Sequence, residues 1–298
     1  MSTLNLTECL SVAVEAARLG AAELERWRKQ FKVKEKSRAD LVTDADHASQ
    51  RAVRDHILAK LPHHAFLGEE DCVGRKIDEI RPPANTPPVW VVDPLDGTIN
   101  YVHDVPAYCV SIGLWAGGEA VAGVILDPRQ NELFTATKGG GAFLNGEPIR
   151  VSDTASLETA LVSTGFPANK DAQRRNLKVW AALSPVTRSL RRTGSTALNM
   201  AYVACGRFDG YWAYDNWPWD VTAGACLIAE AGGVLSTIDG KPFDPFRMDL
   251  IATNGKIQRE LFDALRTAEG EPAGGGGAGV ADQRGRGPPR GRRVGGGG

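Results

Sequence analysis

Residues 89–98 read VWVVDPLDGT, and this stretch decides the fold. It opens with an apolar, β-branched run of the kind that fills a strand buried on both faces. We expect the strand to end at Asp93, because Pro94 has no backbone N–H and should stop further pairing. Asp96 follows three residues after the first acid, and two carboxylates this close repel unless positive charge lies between them. Taken alone, the pattern also fits a solvated turn that is capped by an aspartate.

The bulk composition is that of an ordinary globular protein. The chain has 298 residues, of which 42% are hydrophobic and 24% charged. Its net charge of −1 does not favour nucleic acid or an anionic membrane as a partner. Five scattered cysteines without a CxxC pair argue against a disulfide framework or a zinc site and favour a reducing compartment. We therefore predict a cytoplasmic protein without membrane contact, since no signal peptide or membrane-length apolar run is present.

Hydrophobic periodicity predicts a chain of the α/β class. Apolar residues at steps of three and four predict a helix over residues 10–24, and residues 41–46 open a second one. A short strand is predicted over residues 65–68. Strand-like runs broken by turns predict an antiparallel meander over residues 109–115, 121–126, 132–137 and 142–144. Later helices are predicted over residues 198–205 and 221–231.

The composition divides the chain into a folded unit and a tail. We expect one unit over residues 1–269, with a subdomain seam near residues 150–160. Residues 270–298 are rich in glycine and arginine and have almost nothing apolar to bury, which predicts disorder. Five arginines against Glu271 and Asp282 give this tail a net charge of +3. Such a tail could contact RNA, although a solvated extension without function is the favoured interpretation.

Acidic residues lie at the ends of apolar elements, not on solvated faces. An all-oxygen set without histidine is the chemistry of Mg²⁺ or Mn²⁺ rather than of zinc. Hard divalent cations would also neutralise the repulsion between neighbouring carboxylates. We predict that Asp93 bridges two ions, with Asp96 and Asp220 on one, Glu69 on the other, and the Leu95 carbonyl completing a shell. Asp220 alone would be explained as the N-cap of the helix that follows it.

Two metal ions about 3.5–4 Å apart suit in-line displacement at phosphorus. Gly97 and Thr98 would begin a helix or turn whose N–H groups could hold the phosphate. The Thr98 hydroxyl could pass the proton of the attacking water to Asp46, although a cap at a helix start explains Asp46 equally well. These residues predict hydrolysis of a small phosphomonoester.

Five blocks of sequence resemble the inositol monophosphatase family of Mg²⁺-dependent, lithium-sensitive phosphatases. In the family's order they are LVTDAD at 41–46, GEE at 68–70, WVVDPLDGTINY at 90–101, RTGSTA at 192–197, and WDVTAG at 219–224 with EAGG at 230–233. The resemblance covers roughly residues 8–265. It implies a five-layered αβαβα fold, usually homodimeric, that hydrolyses a small phosphorylated substrate.

The resemblance also assigns a role to each matching position. Water activation falls to Thr98 and Asp46, with Glu70 behind the metal ligands as the third catalytic residue. Gly97 and Thr98 would hold the phosphate, next to acids that serve both metal and substrate. The implied metal ligands are Glu69, Asp93, the Leu95 carbonyl, Asp96 and Asp220. The implied substrate-binding residues are Glu69, Asp96, Gly97, Thr98, Gly194, Ser195, Thr196 and Asp220.

One position departs from members that act on inositol phosphates. Those members resemble one another in a glutamate seven residues before the aspartate of the last block, where this chain has Ala213. Asp215 would share a strand face with that position but lie about 6–7 Å further along. A site that binds a substrate through a hydrogen bond to its hydroxyl loses much of its preference for that substrate when the partner of the hydroxyl is missing. Inositol 1-phosphate is therefore weakened as substrate, with histidinol phosphate, fructose 1,6-bisphosphate and 3′-phosphoadenosine 5′-phosphate as alternatives.

Two alternatives remain open in the sequence. The aromatic residues Trp212, Tyr214, Trp217 and Trp219 could line a pocket for a flatter substrate, or simply be core. A rival function of another class is a non-catalytic dimeric scaffold whose arginine-rich tail binds RNA. Only Ala213 and the tail support that rival.

Overall fold

The computed structural model describes residues 4–37, 40–83 and 86–270. The helices are α1 (Leu6–Trp27), α2 (Asp44–Lys60), α3 (Ile77–Ile80), α4 (Thr98–Val102), α5 (Lys170–Leu183), α6 (Thr196–Ala204), α7 (Pro218–Glu230) and α8 (Gln258–Glu269). The strands are β1 (Val33–Ser37), β2 (Asp40–Thr43), β3 (Ala65–Gly68), β4 (Val89–Asp96), β5 (Cys109–Ala116), β6 (Glu119–Asp127), β7 (Glu132–Thr137), β8 (Gly141–Leu144), β9 (Glu147–Pro148), β10 (Leu161–Thr164), β11 (Ser189–Arg191), β12 (Gly210–Ala213), β13 (Val234–Ser236) and β14 (Leu250–Thr253). Within these ranges no helix is both long and apolar enough to cross a membrane.

Helices and sheets alternate in five layers. Helices α1 and α2 pack together on one face of a seven-stranded sheet with the order β3-β4-β5-β6-β7-β8-β9. Helices α6 and α7 separate that sheet from a five-stranded sheet with the order β11-β10-β12-β14-β13. Helices α5 and α8 pack on the outer face of the smaller sheet. The predicted α/β class with αβαβα layering is confirmed.

The side chains of one central strand show how the layers are separated. Tyr211 and Ala213 face the inner helices, whereas Trp212 and Tyr214 point to the outer core. This alternation is the two-residue period of a strand that is buried on both faces. Trp212 is fully buried and donates its indole N–H to Asn176 Oδ1 at 2.6 Å, so it is core and not pocket wall.

Strand β4 is longer than predicted, because it continues to Asp96. Pairing between β4 and β5 runs from Val89 to Asp93, shifts register, and resumes between Asp96 and Cys109. The prediction that Pro94 ends the strand is therefore wrong. Two residues on β4, Pro94 and Leu95, lie opposite one on β5, Val110, and such a bulge places the proline where no N–H is needed. The bulge brings Asp93 and Asp96 to one buried strand end.

Further boundaries differ from expectation. Residues 40–43 form strand β2, so the second helix begins at Asp44 and not at residue 41. Helix α7 begins at Pro218, which occupies the first turn where a missing N–H is harmless. Asp220 therefore lies inside that turn and not ahead of the helix. Strand β12 ends at Ala213, so the expectation that Asp215 belongs to the same strand is wrong. Most of the predicted tail, residues 271–298, lies outside the described residues.

Candidate active site

Parallel pairing of β3 with β4 brings two of the predicted acids side by side. Gly68 is in register with Val92, so Glu69 follows the end of β3 where Asp93 continues β4. Asp93 is almost completely buried, and its Oδ1 accepts the Leu95 N–H at 2.9 Å. Burial, and then the charges of Glu69, Asp96 and Asp220, raise the pKa of Asp93 well above its usual range. Acids from three distant segments thus share one electrostatic site.

Asp96 connects the large sheet to helix α6. Its carboxylate accepts hydrogen bonds from the Ser195 hydroxyl at 2.6 Å, the Ala197 N–H at 2.6 Å and the Thr196 N–H at 3.3 Å. Burial raises the pKa of Asp96 to about 6, although these hydrogen bonds oppose the rise. Ser195 also accepts the Leu198 N–H at 3.1 Å, so one hydroxyl both caps α6 and orients Asp96.

Asp220 lies in the first turn of α7. Its Oδ2 accepts the Trp217 N–H at 2.7 Å. Burial, and then the charges of Asp96 and Glu69, raise the pKa of Asp220 well above its usual range. Hydrogen bonding to Trp217 and Asp93 partly offsets this rise. The expectation that Asp220 is the N-cap is therefore wrong, because Trp217 holds that position and Asp220, the third helical residue, accepts its N–H. The same turn places Asp220 among the other acids.

The structure brings Thr98 and Asp46 together. The Thr98 hydroxyl lies 3.4 Å from Asp46 Oδ1 and 3.1 Å from the Leu95 carbonyl oxygen. The other carboxylate oxygen of Asp46 accepts the N–H and hydroxyl of Thr43, at 2.7 and 2.6 Å. Asp46 thus caps α2 and faces Thr98 at the same time. The Leu95 carbonyl, a predicted metal ligand, accepts the Thr98 hydroxyl in this arrangement.

Two glycines near these acids are required by the backbone. Gly97 and Gly194 have φ angles of +97° and +98°, in the left-handed region that favours glycine. A side chain at Gly97 would come within 2.8 Å of the Ala107 carbonyl oxygen. One at Gly194 would come within 2.7 Å of Asn100 Nδ2. Both turns therefore depend on close approach of the chain.

Sequence reasoning missed residues that hold these segments together. The Asn100 side chain donates to the carbonyl oxygens of Ala107 at 2.7 Å and Thr193 at 2.9 Å, and so fixes the turn before α6. Gln50 accepts the Glu70 N–H at 2.9 Å and positions the acidic turn after β3. No local pattern distinguishes such an amide from a surface one, because Thr193 and Glu70 lie far along the chain from the amides that contact them.

A cavity of about 590 Å³ opens beside the acids, a size typical of small-molecule sites. Of the predicted site residues, Glu69, Asp96, Thr196 and Asp220 line it. Ser195 is buried with its hydroxyl on Asp96, so the geometry favours a positioning role over substrate contact. The wall also contains residues 165–168, which sequence reasoning missed. The available signal was a Gly-Phe-Pro turn just beyond the end of parallel strand β10.

The oxygen ligands of these acids suit a hard divalent cation, although the described side chains do not converge on a single ion site. Across residues 4–37, 40–83 and 86–270, no three His, Cys, Asp or Glu side chains are positioned to hold a single ion. Asp93, Asp96 and Asp220 each direct an oxygen to a backbone N–H instead. No lysine or arginine in these ranges pairs with the three carboxylates, and buried charges without counter-charge are costly. Their shared ligation of an ion therefore stays a prediction.

Ser195→Ala is expected to lower both stability and activity. Loss of the helix cap should cost about 1 kcal/mol, which corresponds to a fall of about 2–4 °C in Tm. Loss of the hydroxyl on Asp96 should reduce kcat/KM by about tenfold, as for other partners that orient site residues. Asn5→Ala, which removes only the α1 cap, is the matched control and should lower Tm alone. Equal activity in both variants would contradict the positioning role.

Comparison with known proteins identifies the family. The model of the inositol monophosphatase family matches residues 5–269. An inositol-1-monophosphatase from Synechocystis sp. is 40% identical over 264 residues, covering 88% of this chain and 90% of that protein. The Nus factor SuhB of Pseudomonas aeruginosa is 38% identical over 264 residues, covering 86% and 95%. The structure of inositol monophosphatase from Anabaena (Nostoc) sp. matches with a TM-score of 0.75 and 40% identity, covering 89% of this chain and 97% of that one. The chain therefore belongs to the inositol monophosphatase family of phosphoric monoester hydrolases.

Proposed function

We propose that the protein hydrolyses a small phosphomonoester in a Mg²⁺-dependent reaction in which Mn²⁺ can replace Mg²⁺. One observation carries this proposal: Glu69, Asp93, Asp96 and Asp220 share one electrostatic site, and three of them line the cavity. Burial, and then their mutual repulsion, raises the pKa of Asp93 and Asp220, and a divalent cation would relieve that repulsion. When bound there, Mg²⁺ supplies the positive charge that offsets this repulsion and polarises a phosphoryl oxygen.

The chain's own residues would divide the remaining work. Glu69, Asp93, Asp96, Asp220 and the Leu95 carbonyl are the proposed metal ligands. Asp46 would accept a proton through the Thr98 hydroxyl, which lies 3.4 Å from its carboxylate. Gln50 holds the backbone of Glu70, and Glu70 would support the ligands from behind. Gly97 and Thr98 at the start of α4 would contact the phosphate, and Thr196 the alcohol part.

Inositol 1-phosphate is the first candidate substrate, because two relatives named inositol monophosphatase are 40% and 37% identical to this chain. Ala213 is buried and supplies no hydrogen bond to a hydroxyl. Histidinol phosphate, fructose 1,6-bisphosphate and 3′-phosphoadenosine 5′-phosphate are the alternatives. Measured kcat/KM on these four esters with Mg²⁺ tests the proposal. Phosphate release from none of them, or equal release with excess chelator, would contradict it.

A second candidate is a non-catalytic scaffold, since two relatives carry the name Nus factor SuhB. The arginine-rich tail would then bind RNA. A gel shift with RNA, run beside the phosphate-release assay, separates the two functions. Retained RNA without phosphate release would favour the scaffold.

Removal of residues 270–298 is expected to leave Tm and kcat/KM unchanged. The last helix of the described fold, α8, ends at Glu269, so the deletion should keep residues 1–269 intact. Thermal unfolding and phosphate release of the truncated chain check this expectation. A clear loss of either property would show that the tail contributes to folding or catalysis.

We also propose a cytoplasmic homodimer. Five free thiols, four of them buried, fit a reducing compartment. The dimer follows from the family resemblance, and sedimentation of the purified chain at micromolar concentration tests it. A purely monomeric species would contradict it.

A further inference from the structure

An aspartate beyond the end of β12 has an unusual backbone. Asp215 has a φ angle of +61°, in the left-handed region that non-glycine residues seldom adopt. Its neighbours impose this conformation. The Asn216 N–H donates to the Met248 carbonyl oxygen at 2.7 Å, and the Tyr214 hydroxyl donates to Glu269 at 2.7 Å. Local strain that is maintained by surrounding contacts is a common feature of functional sites.

Asp215 lines the same cavity as three acids of the candidate active site, Glu69, Asp96 and Asp220. It is half-buried, yet its carboxylate makes no hydrogen bond or ion pair with any of the described residues. Burial alone raises the pKa of Asp215. A partly desolvated carboxylate without a partner is costly, and a donor from a bound molecule would recover that cost.

The rest of the cavity wall is apolar or already engaged. Trp217 and Trp219 stack with ring centroids 5.1 Å apart and nearly parallel planes. Arg75, the basic residue among those lining the cavity, donates to the Glu79 carbonyl oxygen at 3.0 Å. The phosphate belongs at the Glu69, Asp96 and Asp220 end, where cations would offset its charge. An uncompensated carboxylate elsewhere on the wall would repel phosphate. The carboxylate of Asp215 would therefore face the alcohol part of the substrate.

We propose that Asp215 selects the alcohol part of the substrate by accepting hydrogen bonds from its hydroxyl or ammonium donors. This inference rests on the proposed phosphatase function. It gives the cavity the carboxylate that Ala213 does not supply, from a left-handed turn instead of a strand. Substrates that carry such donors are preferred over esters of alcohols that lack them.

Two substitutions test the proposal without disturbing the backbone. Asp215→Gly and Asp215→Asn both tolerate a positive φ, since glycine and asparagine adopt this region most readily. Asp104→Asn is the matched control, because Asp104 also has a positive φ of 56°. Its exposed side chain forms an ion pair with Arg129, and it is not among the residues that line the cavity. The probes are inositol 1-phosphate, histidinol phosphate and p-nitrophenyl phosphate, the last of which has no donor on its alcohol part.

The readout is kcat/KM on each donor-bearing ester divided by kcat/KM on p-nitrophenyl phosphate. Asp215→Gly is expected to lower this ratio by about 10–100-fold, mainly through KM, as for loss of a hydrogen bond to a charged group. Asp215→Asn should lower it most for histidinol phosphate if an ammonium is the donor, and most for inositol 1-phosphate if hydroxyls are. Asp104→Asn should keep the wild-type ratio.

Two results would overturn the proposal. A wild-type ratio in both Asp215 variants would show that the carboxylate does not select the substrate, while the phosphatase function would stand. A wild-type enzyme that releases phosphate from none of these three esters, nor from fructose 1,6-bisphosphate or 3′-phosphoadenosine 5′-phosphate, would overturn the phosphatase function, and this inference with it. The two failures are distinguishable, because only the second removes activity from the unmodified chain.

Discussion

Asp93→Asn is expected to abolish turnover while the fold stays intact. Asp93 lies among three other acids, and asparagine removes its charge but keeps an oxygen for the Leu95 N–H. Substitution of residues that only support metal ligands costs about 10–100-fold, so loss of a central ligand should lower kcat by more than about 100-fold. Without metal, the variant should be at least as stable as wild type at neutral pH, because a buried like-charge repulsion is gone. Phosphate release and thermal unfolding measure both effects.

The matched control for this variant is Asp127→Asn. Asp127 is also fully buried at the end of a strand, and it accepts the backbone N–H groups of Arg129 and Gln130 at 2.8 and 3.0 Å. It is not among the charges that raise the pKa of Asp93. Its replacement should leave kcat near the wild-type value. Near-normal kcat in Asp93→Asn, or equal losses in the two variants, would contradict the role assigned to Asp93.

Mg²⁺ is expected to stabilise the protein in a pH-dependent way. The pKa of Asp96 is about 6 and those of Asp93 and Asp220 are also raised, whereas an unfolded aspartate titrates near 3.9. The folded chain therefore binds more protons than the unfolded chain in this window. Without metal, the contribution of these three carboxyls to the free energy of unfolding should be fully present below about pH 4. It should be lost as the pH rises through about 6.

Saturating Mg²⁺ should reverse this loss. At 100 times Kd, a ligand that binds only the folded chain adds about 2.7 kcal/mol, which corresponds to about 5–10 °C in Tm. The gain should be largest near pH 7.5 and small near pH 4.5, where protons occupy the same carboxylates. Thermal unfolding with Mg²⁺ against EDTA, and with KCl at equal ionic strength as control, measures it. A gain that is independent of pH would sink this explanation.

The elements with strong local signals were predictable from sequence. The apolar run before Asp93, the meander of β5 to β8 and the Gly232-Gly233 signal after α7 each depend on neighbouring residues. The candidate acids were predictable for a related reason, since each follows or caps an apolar element whose direction the sequence sets. Asp46 and Asp220 each accept the N–H of the N-cap residue of their helix, which is why local reasoning could not separate structure from function at these positions.

The features that escaped prediction depend on contacts between distant segments. The bulge at Pro94 exists because β5 supplies a partner again at Cys109. Asn100 and Gln50 act on residues 93 and 20 positions away. The left-handed turn at Asp215 is held by Met248 and cannot be read from the strand pattern that precedes it. Propensity and periodicity describe neighbours along the chain, so tertiary partners of this kind remain outside their reach.

The central claim is that four acids beside the cavity bind divalent cations. Anomalous diffraction from crystals of the wild-type protein grown with Mn²⁺ and inorganic phosphate tests it most directly. We expect manganese peaks within bonding distance of Glu69, Asp93, Asp96 and Asp220. The phosphate should lie in contact with the manganese ions. An active enzyme whose crystals place manganese elsewhere, or nowhere near these four side chains, would contradict the account.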